Sequence, residues 1–169
     1  MILITGCAGF IGSNLVVDFI GKGIKVLGID TFNSSNLSNN NFIKKYRLDN
    51  INNSLNNDLF IYKVINILDK SSLDKLFKKY RFTKVIHFAA LTGVRLSSVD
   101  PHSYIKNNIE GFHNIIELSH KYNIKHFIYA SSSSVYNQNS SILESDNTNL
   151  PLSIYASTKK SNELIAYSY

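Results

Sequence analysis

The opening dozen residues constrain this chain more than any other stretch. Ile2-Leu3-Ile4-Thr5 is a short apolar run that stops at Gly6, and Gly9 and Gly12 follow at a spacing of three. Such a run reads as a buried parallel strand. Behind it Ile11, Leu15, Val16, Phe19 and Ile20 recur at helical spacing, and Gly21 and Gly23 end the helix. Lys25 to Asp30 is a second buried strand, which closes a βαβ unit of ordinary size. Each glycine has a task in that setting. Gly6 permits the tight turn, Gly9 lets backbone approach a bound phosphate, and Gly12 lets helix and strand pack closely. The first turn of the helix then offers free N–H groups and the positive end of its dipole to an anion. Asp30, at the end of the second strand, can accept two hydrogen bonds from a ribose diol and would repel a 2′-phosphate, which favours NAD over NADP. A glycine turn with no ligand, and an aspartate that merely caps a turn, are the competing readings.

The rhythm continues down the chain. Strands are expected at Leu59–Val64, Lys84–Phe88 and Lys125–Ala130. A helix is expected from Ser71 to Tyr80, capped by Ser71 or Ser72, with Leu73, Leu76 and Phe77 inward. A long helix should start near Asp100-Pro101 and reach about Tyr122, with Tyr104, Ile105, Ile109, Phe112, Ile115, Ile116 and Leu118 on its apolar face. A last helix should run from Tyr155 to Tyr169. Residues 33–57 interrupt the pattern with ten asparagines. They read as a surface excursion starting at Thr31-Phe32-Asn33, in which Phe42–Leu48 could form a short helix. Strand–helix alternation of this kind predicts an α/β fold: a Rossmann-like doubly wound parallel sheet, incomplete at its C-terminal side, with residues 1–169 as one dinucleotide-binding domain.

Two later constellations carry chemistry. Tyr155 and Lys159 stand four apart on the last predicted helix and so share a face. An ammonium beside a phenol favours the phenolate, which makes a general base. The serine run Ser131–Ser134 follows the fifth strand, at the carboxyl end of the sheet where open α/β folds bind ligands. A core tyrosine with a solvated lysine, and a plain polar loop, are the alternatives. Other functions find little support. The net charge is +6, but the lysines are scattered in pairs, so no nucleic-acid partner is expected. No apolar run is long enough to span a bilayer, and Met1 to Gly6 lacks a basic leader region, so no membrane partner is expected. One cysteine, Cys7, allows no internal disulfide and fits a reducing, cytoplasmic location. Its place at a helix N-terminus could lower its pKa, although it reads as a small packing residue. The five histidines show no metal-ligand spacing, and His113 and His120 could share a face of the long helix.

Taken together, these residues resemble the extended short-chain dehydrogenase/reductase superfamily, and within it the NAD-dependent nucleotide-sugar epimerases. The cofactor loop Leu3–Ser13, the stretch His87–Arg95, and the segments Ala130–Tyr136 and Ser153–Leu164 are most similar to UDP-glucuronate 4-epimerases. The resemblance implies that NAD is held by Gly6, Gly9, Phe10, Ile11, Gly12, Asp30 and Asn33. Asn66 and Ile67 would flank the adenine, with Asn66 where the family usually has Asp. Phe88, Ala89, Ala90 and Asn107 would line the groove. Ser132, Tyr155 and Lys159 would be catalytic, with Tyr155 and Lys159 also on the cofactor and Ser132, Tyr155 and Arg95 on the substrate; no metal is implied. Asn137 stands where the family usually has glycine. The implied reaction is epimerisation at C4 of a UDP-sugar, UDP-glucuronate to UDP-galacturonate, through a 4-keto sugar. Dehydratases of the superfamily carry an Asp-Glu pair where this chain has Ser133 and Ser134, which disfavours water elimination.

The family's chains are about twice this long, so the resemblance also implies that the substrate domain is absent. A homodimer, or a second chain supplying the missing half, is then the expected assembly. A catalytically inactive NAD-binding fragment is the alternative, and a basic binding protein on a borrowed fold is a remote third.

Overall fold

The apolar runs at Ile2–Thr5 (β1), Val26–Asp30 (β2), Phe60–Val64 (β3), Lys84–His87 (β4) and His126–Tyr129 (β5) pair into one wholly parallel sheet in the order β3-β2-β1-β4-β5. The computed structural model describes residues 1–31, 40–54, 57–136 and 143–169. Asn33 and Asn137 therefore lie outside the described residues. β1 and β2 are buried at every position, because helices cover both faces of the sheet there. One apolar layer joins β1, β2 and β3 to Val16 and Ile20 of α1 (Phe10–Gly21) and to Leu48 and Ile51 of α2 (Asn40–Ser54). The opposite layer gathers Leu3, Leu27, Ile29 and Val85 against Leu73, Leu76 and Phe77 of α3 (Lys70–Lys79) and against Ile115 and Leu118.

The expected doubly wound sheet is present, and several local readings are corrected. α3 is capped by Asp69, whose carboxylate accepts from the Ser72 backbone N–H at 3.0 Å, and not by either serine. Ile11 lies in the first turn of α1, above the sheet, and is 60% exposed rather than buried. A short helix that sequence periodicity did not suggest, α4 (Val94–Val99), leads into α5 (Pro101–Ile105), where Asp100 caps and Pro101 takes the first position.

The long helix over 101–121 is not uniform. Between α5 and α6 (Gly111–Lys121) the turn Lys106–Glu110 is π-helical. The wider turn inserts a residue and rotates the face that meets the sheet. Ile105, assigned inward by 3.6-residue periodicity, is 49% exposed, whereas Asn108 is buried. The last helix, α7 (Ile154–Ser168), is capped by the Ser153 hydroxyl, which accepts from the Ala156 N–H at 3.1 Å. His113 and His120 do share a surface: both rings meet the ring of Tyr169. Among the described residues, no helix is long and apolar enough to cross a membrane, and no cluster of His, Cys, Asp and Glu is arranged to hold a metal ion.

Candidate active site

Strand order reverses between β1 and β4, and a cleft of about 560 Å³ opens over their carboxyl ends. The glycine loop forms one end. Gly6 has φ +71°, and a Cβ there would lie 2.7 Å from the Ala89 nitrogen. A Cβ on Gly12 would overlap the Gly6 carbonyl oxygen and lie 2.9 Å from the Cys7 Cα. Gly9 caps α1 without a side-chain hydrogen bond, so the backbone N–H groups of Phe10, Ile11 and Gly12 begin the helix with no partner within it. Phe10 and Ile11 stand at the mouth, the former 72% exposed. This end of the cleft is therefore shaped for close approach by an anion.

Asp30 sits beside the loop, buried to 8% exposure. Its Oδ2 accepts from the Ala8 N–H at 2.9 Å and its Oδ1 from the Thr31 N–H at 2.7 Å. Lys44 of α2 places its ammonium 2.9 Å from the same Oδ1 and 2.9 Å from the Thr31 carbonyl oxygen. Arg47, one turn on, donates to the Ala8 carbonyl at 3.3 Å and lies over the Phe10 ring. Neither cation was singled out from sequence. The signal was there in the spacing of Lys44, Arg47, Leu48 and Ile51, but the asparagine-rich surroundings obscured it.

Asn66 and Ile67 line the same end. Asn66 turns its own loop by accepting from the Leu68 N–H at 2.9 Å. Ile67 is pinned by Gly111, where any Cβ would collide with it, and by Asn114, which donates to its carbonyl at 3.0 Å. Cys7 lies beneath the loop with its sulfur against Gly28. Burial, and then the Asp30 carboxylate, push its thiol up. The lowering expected from the helix terminus is thus overturned, because desolvation outweighs the dipole.

The far end is built from β4, β5 and α7. Phe88, Ala89 and Ala90 form the floor, with Asn107 beside them. Its neighbour Asn108, which sequence reasoning passed over, clamps the floor. Its Oδ1 accepts from the Leu91 N–H at 2.8 Å, and its Nδ2 donates to the Leu91 carbonyl at 2.9 Å and to the Thr158 hydroxyl at 3.2 Å. Behind the floor, His87 is fully enclosed. The Thr5 hydroxyl accepts from the Ala89 N–H and is hydrogen-bonded to the His87 Nδ1, 2.8 Å away. Burial, and then the Lys159 charge, lower the His87 pKa to about 3.

Tyr155 and Lys159 both line the cleft, one turn apart on α7. Lys159 is 3% exposed and donates to the Ala130 carbonyl at 3.1 Å; burial pulls its pKa down to about 8. The Tyr155 ring meets Tyr104 edge-on, and the Tyr104 hydroxyl donates to the Thr92 carbonyl. The Tyr155 backbone N–H donates to the Ser97 hydroxyl at 3.1 Å, so α4 positions the start of α7. Two expected residues stand apart from this group. The Ser132 hydroxyl caps the 3-10 turn Ser133–Val135 by accepting from the Ser134 N–H at 3.1 Å; it is Ser131 that lines the cleft, its own hydroxyl donating to Glu163 at 2.6 Å. Arg95 is exposed on α4 and is not among the residues lining the cleft.

Fold and cleft define a class: a doubly wound α/β protein with a phosphate-shaped glycine loop, an acid at the end of β2, and a tyrosine–lysine pair across the floor. The comparisons make this specific, and the chain belongs to the NAD dependent epimerase/dehydratase family, whose model matches residues 2–169. It is 44% identical over 170 residues to Protein CapI of Staphylococcus aureus, covering 99% of this chain and 49% of that one. It is 37% identical to the UDP-glucuronate 4-epimerase of Thermodesulfobacterium geofontis, covering 99% of this chain and 50% of that one. Among solved structures, the UDP-glucuronic acid 4-epimerase of Bacillus cereus, in complex with UDP-4-deoxy-4-fluoro-glucuronic acid and NAD, superposes with a TM-score of 0.85 at 33% identity, over 99% of this chain and 51% of that one. The chain thus spans about half the length of these relatives.

Proposed function

We propose that this chain binds NAD over the carboxyl ends of β1 and β4 and forms the cofactor half of a UDP-sugar 4-epimerase acting on UDP-glucuronate. The observation that carries the reading is that one cleft gathers Gly6, Gly9, Gly12, Asp30, Tyr155 and Lys159. The fit to NAD rests on the glycine loop, which leaves no room for side chains where a pyrophosphate would approach, and on Asp30 as a ribose acceptor. Bound NAD supplies reversible hydride transfer. The protein residues supply the rest. Tyr155 takes the proton of the sugar C4 hydroxyl and later returns it. Lys159, anchored on the Ala130 carbonyl, keeps an ammonium beside that phenol and has two N–H donors left for a ribose. For Ser132 to hydrogen-bond the same sugar oxygen, its hydroxyl proton must turn out toward the cleft, which Ser132 does not line here, while the Ser134 N–H occupies one lone pair.

Remote binding energy from the uridine nucleotide is what positions a reacting sugar. Because the relatives are about twice as long, turnover is assigned to the chain together with polypeptide that completes the substrate side. A second reading, an NAD-binding module without turnover, is favoured by Ser132, whose hydroxyl caps its own 3-10 turn and which is not among the described residues lining the cleft. Calorimetry with NAD, followed by a UDP-glucuronate assay with and without the C-terminal half of a relative, separates them. No NAD binding at millimolar concentration overturns both, and NAD binding without product in either assay leaves the module.

A further inference from the structure

Helix α2 is amphipathic in the wrong sense. Its outward face carries Phe42, 74% exposed, and Tyr46, 58% exposed, while Lys44 and Arg47 are half-buried on the side facing the cleft. Lys44, Arg47, Leu48 and Ile51 lie on one stripe at i, i+3, i+4 and i+7. The lower half of that stripe is ordinary, since Leu48 and Ile51 dock in the core against α1. That docking fixes the rotation of the helix and turns the upper half, two cations, onto the glycine loop. Bringing cations toward a partly desolvated wall is costly unless anions meet them there.

The protein itself supplies only part of the balance. Among the described residues lining the cleft, Lys44, Arg47 and Lys159 are opposed by a single carboxylate, Asp30. Asp30 is already paired with Lys44. Among the described residues Arg47 meets no carboxylate; it donates to a carbonyl of the glycine loop and lies over the ring of Phe10. Both contacts hold the guanidinium at the rim where the free N–H groups of α1 begin, and most of its five donors remain for a ligand.

We propose that α2 provides a cationic arm to the adenosine end of the site, with Arg47 on the phosphate and Lys44 bridging Asp30 and the adenosine ribose. This rests on the dinucleotide reading above and adds two binding residues to it. Lys44 offers the proton that a ribose oxygen can accept, while Asp30 accepts the proton that the same hydroxyl donates. Arg47 contributes charge and two-point geometry that the backbone N–H groups lack.

The test is a fluorescence titration of the chain with NADH, with ADP and adenosine as competitors, on wild type, Arg47→Ala, Arg47→Gln, Lys44→Met and the outward control Phe42→Ser. Thermal melts check that each variant is folded. Both Arg47 variants should bind NADH and ADP at least about tenfold more weakly, with adenosine unchanged and a shallower salt dependence. Lys44→Met should weaken adenosine and ADP alike, and Phe42→Ser should change neither. Two results overturn the arm while leaving the cofactor reading intact: Arg47 variants that bind NADH and ADP like wild type, or that lose adenosine as much as ADP. Wild type that binds no NADH overturns the cofactor reading and the arm with it.

Discussion

The two ends of the cleft are made by different physics. In the glycine loop the surface is backbone, and its shape is enforced by exclusion: Gly6 and Gly12 sit where any Cβ would meet backbone atoms. At the α7 end the surface is side chain. Lys159 hangs on one carbonyl, Ser131 on Glu163, and the floor on Asn108. The loop is closed to substitution at those two glycines. At the second end the groups that matter are polar side chains, and burial pulls the pKa of one of them, Lys159, down to about 8.

The largest effect should come from breaking the first end. Gly12→Val places a branched side chain against the Gly6 carbonyl and the Cys7 backbone, neither of which can move without parting β1 from α1. Loss of more than about 3 kcal/mol is expected, enough to leave a marginal domain unfolded at 37 °C. Circular dichroism melts check this, and a variant within a few degrees of wild type would show that the loop yields after all.

Next is the floor of the second end. Asn108→Ala leaves the N–H and carbonyl of Leu91 and the hydroxyl of Thr158 without their partner in a half-buried place. A loss of about 2–4 kcal/mol is expected. Asn108→Asp should recover the bond from the Leu91 N–H only, and so fall between the two in chemical denaturation.

This contrast also explains what could be read from sequence. Exclusion leaves a mark, because only glycine fits at Gly6 and Gly12, and the spacing of these residues located β1, α1 and the turn between them. The parallel strands were legible for a related reason: burial on both faces requires an unbroken apolar run, as in Val26–Asp30. The α7 end was legible only through the Tyr155–Lys159 spacing, which fixes a helix face but says nothing of what holds it. Asn108 escaped notice because it is buried by a π-turn, and a one-residue slip in helical register cannot be seen in a pattern that assumes 3.6 residues per turn. Lys44 and Arg47 escaped for the opposite reason. A cation on a helix reads as solvated, and only the docking of Leu48 and Ile51 shows which way the stripe turns.

A smaller effect separates the ends by acid. His87 keeps a pKa near 3 in the fold, against about 6.5 unfolded, so between those values the unfolded chain takes up a proton that the native chain refuses. Stability should therefore fall as pH drops through that window, by up to about 1.4 kcal/mol per pH unit from this group. His87→Asn retains an acceptor for Thr5 and should flatten the acid limb of a pH–stability curve. An unchanged slope would assign acid lability to the carboxylates instead.

The subtlest prediction concerns Lys159, where stability and binding should part company. Burial lowers its pKa to about 8, against an ordinary value near 10.4, so between the two the unfolded chain holds the extra proton. Stability should rise with pH across that interval, since the native lysine sheds the charge that is costly to bury. NAD affinity should do the reverse, falling as pH passes about 8, because the neutral amine no longer offers an ammonium to the ribose. Lys159→Met should bind NAD about tenfold more weakly, with no such pH dependence, while Arg47→Gln should keep it. Opposite slopes in melting temperature and in NAD affinity over the same pH range cannot arise from general alkaline unfolding, which would lower both together. Parallel slopes would place the titrating group elsewhere than Lys159.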